Sequence, residues 1–117
     1  NINICDDVQA GLIPVKNNLA LYIGGMGAAK KNFHTDLMGR MGFEEEAKKI
    51  QKLFLQGKRT EAVMAVPDRF ADEISLIGPK ARIKERLEAW KNTPITSLLI
   101  SSQKKERLRE IAEIVFS

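Results

Sequence analysis

Two strand-like segments lie about ninety residues apart in this chain of 117 residues, and nearly everything between them carries helical periodicity. Residues 2–5, Ile-Asn-Ile-Cys, alternate apolar and polar as a short strand does, and Ile95-Thr96-Ser97-Leu98-Leu99-Ile100-Ser101 is the nearly continuous apolar kind that a parallel sheet buries on both faces. Two strands so far apart cannot close a stable sheet of their own, because an isolated pair is marginal in water. The pattern therefore predicts a mostly helical chain with two short strands, and it points to strands that the segment does not contain.

The helical positions follow from caps and stripes. Asp6 or Asp7 is placed to cap a helix starting at Val8. Pro14 lacks an N–H, so a break or kink is expected near Leu12 before a second run through Leu19, Ala20, Leu21 and Ile23, ended by Gly24-Gly25-Met26-Gly27. Asn32 to Met41 reads as a short helix with Phe33, Leu37, Met38 and Met41 on one face, stopped by Gly42. Phe43, Ala47, Ile50, Leu53 and Phe54 mark an amphipathic helix ending at Gly57. Thr60 is the expected cap of a short helix to Val66, and Pro67 can open a further helical turn. Ser75 to Pro79 reads as an apolar lead-in and turn before a helix from Ala81 to Lys91, and a last helix runs from Gln103 to Phe116.

Charge and composition narrow the function classes. The net charge is +4, and acidic residues interrupt the basic runs, as Glu106 and Glu110 do among Lys105, Arg107 and Arg109. That argues against a nucleic-acid binder, whose cations cluster on one face. No apolar run reaches membrane-spanning length. Cys5 is the only cysteine, so no internal disulfide can form and a reducing, cytoplasmic setting is expected. A small, half-buried residue at a strand end is the stronger reading of Cys5 over a catalytic thiol. With one histidine, His34, and one cysteine, no metal site is expected. Asn1 is not an initiator Met and residues 1–15 lack a signal-peptide pattern, so a processed or truncated product is expected.

Several runs together carry a family resemblance. Leu19-Ala20-Leu21-Tyr22-Ile23-Gly24-Gly25-Met26-Gly27 with Lys31-Asn32-Phe33, then Ala65-Val66-Pro67-Asp68, then Ser75-Leu76-Ile77-Gly78-Pro79 and the helix Arg82 to Trp90, follow one another as in luciferase-like oxidoreductases of the deazaflavin-dependent branch. The chain resembles the C-terminal part of such a protein, from about residue 5 to residue 101. The resemblance implies an α/β parent, a TIM (β/α)8 barrel, with residues 1–7 as its seventh strand, residues 8–74 as a helical insertion beside the barrel mouth, and residues 75–117 as helix, strand and helix, the strand at residues 95–101 being the eighth. Barrel chemistry sits at the C-terminal strand ends, which places Cys5, Asp6, Asp7, Ser101 and Ser102 nearest to it.

The same resemblance implies hydride transfer or oxygen activation in the full-length parent, with the deazaflavin coenzyme F420 or FMN as cofactor and a small molecule as substrate. It carries no cofactor for this chain alone, because the family binds its coenzyme largely through loops of earlier strands. No catalytic residue transfers. Tyr22, beside the glycine run, is the candidate pocket wall, and Asn32, Phe33, His34 and Arg40 follow it along a supposed substrate lid.

Each of these groups has a plainer reading. The run Gly24 to Gly27 with Lys30 and Lys31 matches no phosphate-loop spacing and reads first as a helix stop with close packing, second as a lid. Gly78-Pro79 at a helix start reads as a turn at least as well as an anion site. His34 on a polar helix reads first as a packed or exposed histidine. Trp90 shares the apolar stripe of Ile83 and Leu87 and belongs to a core. The rival function is a cofactor-free helical interaction module. In either case the unpaired apolar segment at residues 95–101 predicts a homo-oligomer.

Overall fold

The computed structural model describes residues 1–27, 31–102 and 104–117. The chain divides into two compact units, one of residues 1–11 with 75–117 and one of residues 12–74.

In the first unit, β1 (Ile2–Ile4) and β2 (Leu76–Gly78) form a parallel pair with Ile2 opposite Leu76 and Ile4 opposite Gly78. The pairing extends at both ends, where Leu76 donates its amide to the Asn1 carbonyl at 2.8 Å and Cys5 to the Gly78 carbonyl at 3.0 Å. Each strand leads into a helix, α1 (Val8–Gly25) after β1 and α6 (Lys80–Lys91) after β2, as in a βα repeat. Leu76, Ile83 and Leu87 form the core with Ile114 of α7 (Lys105–Phe116), and Ile2, Ile4, Trp90 and Val115 pack around it. Trp90 is therefore a packing residue, as its stripe implies.

The strand expected at residues 95–101 is not formed. The second strand is β2, where the sequence suggested only a lead-in and a turn. A strand needs a hydrogen-bonded neighbour as well as an apolar pattern, and among the described residues the segment 95–101 pairs with neither strand of the sheet. Three buried residues ending in glycine are too few to show a period of two, so β2 left no trace in the pattern. Leu98 and Leu99 are exposed instead, Leu99 fully at 102%.

The second unit holds the rest of α1, then α2 (Phe33–Met38), a wide turn at Gly39–Phe43, α3 (Glu44–Leu55), α4 (Arg59–Met64) and α5 (Asp68–Glu73). Its buried set includes Ala20, Ile23, Met38, Ala47, Ile50, Ala62, Val66 and Phe70. Gly42 (φ 95°) and Gly57 (φ 79°) adopt the left-handed backbone that ends α2 and its turn and α3, the stops that the sequence implies.

Three local expectations are corrected. The helix α1 is continuous through Pro14, so no break occurs near Leu12, and the burial of Leu12, Val15 and Ala20 offsets the lost N–H and the ring's clash with the preceding turn. Thr60 does not cap α4, which begins one residue earlier, and its capping position is Lys58 with no side-chain bond. Of the stripe Phe33, Leu37, Met38 and Met41, only Met38 is buried. Asp7 does cap α1, accepting the Ala10 amide at 3.2 Å. The helix start placed at Gln103 lies outside the described residues, and α7 begins at Lys105.

Candidate functional site

The glycine run ends α1 and lets a neighbouring side chain come close. A Cβ on Gly24 would lie 2.4 Å from the Phe54 Cβ, and one on Gly25 would lie 2.6 Å from the Phe54 Cε1. Space that a phosphate cradle would leave open is filled by a phenyl ring. Lys30, part of that motif, lies outside the described residues.

From there the chain returns at Asn32, which is 3% exposed. Its amide oxygen caps α2, accepting from His34 N at 2.9 Å and Thr35 N at 3.2 Å. Its amide nitrogen donates to Ile23 O at 2.8 Å and Tyr22 O at 3.3 Å. Thr35 adds a hydroxyl bond to Ile23 O at 2.9 Å. Buried and fully bonded, Asn32 is no direct contact for a substrate. Thr35 is not among the residues that the sequence suggests, and a bond to a carbonyl twelve residues back leaves no local signal.

These bonds gather three rings. Tyr22 and His34 have centroids 4.9 Å apart at 55°, and Phe33 meets His34 edge-on at 5.5 Å and 83°. Both separations fall in the range where tilted aromatic pairs attract. Phe33 is 65% exposed and Tyr22 is exposed as well, so two of the rings face solvent. Four of the five residues of the supposed lid are thus brought together.

Arg40 is placed differently. It lines a polar hollow of about 530 Å³ with Thr35, Asp36, Gly39, Glu44 and Lys48. Lys48 pairs with Glu44 at 2.9 Å and with Glu45 at 3.8 Å. The hydrogen bond from Lys48 to Glu44, then the charges of Glu44 and Glu45, hold its ammonium above the ordinary lysine pKa.

In the first unit the turn at Gly78-Pro79 is covered by Arg82. A Cβ on Gly78 would meet the Arg82 Cδ at 2.9 Å, and the guanidinium donates to the Ile77 carbonyl. Of the groups expected near barrel chemistry, Cys5, Asp7 and Ser102 make local turn or cap bonds. The Cys5 thiol reaches the Asp7 carbonyl at 3.4 Å, and the Ser102 hydroxyl bonds the Lys104 amide at 3.2 Å. An apolar trough of about 490 Å³ runs between α6, residues 95–100 and α7, with Trp90, Ile95, Leu98, Leu108 and Phe116 in its walls. Among the described residues no three His, Cys, Asp or Glu side chains gather as a metal site requires, and no helix is long and apolar enough to cross a membrane.

At Gly24, Gly25 and Gly78 the space beside the backbone is occupied by the side chains of Phe54 and Arg82. The chain is similar to a Mycobacterium tuberculosis protein named "putative coenzyme F420-dependent oxidoreductase". The two are 33% identical over 112 residues, which cover 96% of this chain and 32% of the relative. The chain therefore spans about a third of the length of the curated relative it matches. No protein-family model matches it, and no solved structure matches it.

Proposed function

We propose that the chain is the C-terminal segment of a luciferase-like oxidoreductase that uses the deazaflavin coenzyme F420, and that its second unit supplies a substrate lid. The likeness to the mycobacterial protein, extending along nearly the whole chain, carries this reading. The parallel pairing of β1 with β2, each strand leading into a helix, supports a β/α barrel as the parent fold. In such a protein the coenzyme exchanges a hydride with a small-molecule substrate, and the polypeptide orients the two.

Among the described residues, the two glycine turns are closed to a coenzyme phosphate by neighbouring side chains. Phe54 fills the space at Gly24 and Gly25, and Arg82 covers the turn at Gly78. Coenzyme binding is accordingly assigned to parts of the parent beyond this chain. What the chain offers is the exposed pair Tyr22 and Phe33 with His34 between them, a face that can shield a substrate from water. Arg40, in its own polar hollow, is a separate charged contact of the same unit.

The complete reading frame that contains these residues provides the test. Purified and mixed with either the deazaflavin coenzyme or FMN, then desalted, it is expected to retain the deazaflavin. Retention of FMN alone would move the parent to the flavin branch. Retention of neither would overturn the reading in favour of a cofactor-free module.

A further inference from the structure

We infer that Asn32 is a positioning residue that holds Tyr22 against His34 through the donor edge of its amide, an inference that rests on the reading of this face as a lid. One side chain closes two helix ends at once. The carbonyls of Tyr22 and Ile23 are among the last four of α1, which have no helical amide left to accept from, and the amides of His34 and Thr35 are among the first of α2, which have no helical carbonyl to bond. Asn32 serves both sets, with its nitrogen toward the carbonyls and its oxygen toward the amides. The opposite amide orientation would aim oxygen at oxygen and N–H at N–H, so the partners fix the assignment.

The backbone of Tyr22 is thereby tied to the backbone of His34 through a group that is 3% exposed, where water does not compete for its bonds. Tyr22 and His34 carry the rings that a ligand can touch, and Asn32 acts only through them. The two edges of the amide do different work. The oxygen starts α2, and the nitrogen sets how the end of α1 lies against it.

Asn32→Asp separates the two roles. Aspartate caps helices as well as asparagine does, so a capping role alone leaves both α2 and the ring contact unchanged. It has no donor, however, and its charge would face two carbonyl oxygens. Tyr22 is the only tyrosine and His34 the only histidine, so a nuclear Overhauser effect between their ring protons is read without ambiguity. The expected result is loss of that effect at neutral pH with the Thr35 amide still protected from exchange. An unchanged effect overturns the inference.

Should Asn32→Asp prevent folding, Asn32→Ser gives the same readout, because a serine oxygen still caps while its shorter side chain does not reach both carbonyls. Thr35→Val removes only the hydroxyl link and is expected to keep the ring contact. If it abolishes the contact as fully, the contact depends on the junction at large and the inference fails. None of these readouts needs coenzyme or substrate. Their failure would leave the oxidoreductase reading standing, and a parent that bound no coenzyme would leave the ring contact standing.

Discussion

Gly24 of α1 lies against Phe54 of α3 so closely that a Cβ would stand 2.4 Å from the phenylalanine Cβ and 2.6 Å from its Cγ. Those atoms are at the root of the side chain and have little room to swing away. Gly24→Ala should therefore cost about 1–3 kcal/mol of overpacking, against a gain of up to about 1 kcal/mol in helix propensity. Gly39 is the control: its φ is −60° and the nearest atom to an added Cβ is 3.7 Å away. Gly39→Ala should stabilise by about 0.4–1 kcal/mol by restricting the unfolded chain. Urea unfolding of the two variants checks the pair, and a stabilised Gly24→Ala would contradict the packing argument.

The exposed segment at residues 95–101 should govern association. Leu99 is fully exposed, and Ile95 and Leu98 are exposed beside it. Light scattering at low micromolar concentration is expected to show a dimer or larger species, and Leu99→Asp is expected to shift it toward monomer. Ile83→Ala, at a fully buried position of α6, should instead cost about 2–5 kcal/mol. A stable 13.1 kDa monomer for the unsubstituted chain would refute the association.

How far the sequence specified these features depended on what each feature needs. Gly42 and Gly57 were legible as stops because a left-handed backbone is a local demand that glycine meets best. The capped start of α1 at Asp7 was legible for the same kind of reason. Strand pairing is not local. Residues 95–101 show the apolar run of a buried strand, yet the ladder forms between Ile2–Ile4 and Leu76–Gly78, a choice made by partners distant in sequence. At Pro14 the break that the pattern allows does not occur, because burial around the residue keeps the helix continuous. In the candidate site, residue types suggested Tyr22, Asn32, Phe33, His34 and Arg40 as lid groups, but pattern gives neither burial nor contact. Only the structure separates the buried Asn32 from the exposed rings.

The raised pKa of Lys48 yields a pH prediction. Its hydrogen bond to Glu44 comes first among the causes. A lysine raised in the folded state adds stability below its unfolded value, and that contribution disappears as pH rises from about 10.5 through the raised value. The pair is exposed, so the effect on unfolding should be small. Glu44→Gln should return the lysine toward its ordinary titration, followed by the NMR shift of its ε-methylene. No change would contradict the pairing.

Phe33 offers a test of the lid in the parent protein. Because its side chain is largely exposed, Phe33→Ala should change stability by no more than about 0.5 kcal/mol. If the ring shields substrate, the same substitution should raise KM, with coenzyme affinity unaltered. Unchanged steady-state kinetics would remove Phe33 from the lid.

The proposed function rests on a division of labour, with coenzyme binding elsewhere in the parent and a substrate-facing lid in these residues. Fluorescence titration with the deazaflavin coenzyme, run side by side on the 117-residue chain and on the complete reading frame, tests that division most directly. Saturable binding by the complete protein and none by the chain alone is the predicted result. Micromolar or tighter binding by the chain alone, or no binding by either, would contradict it.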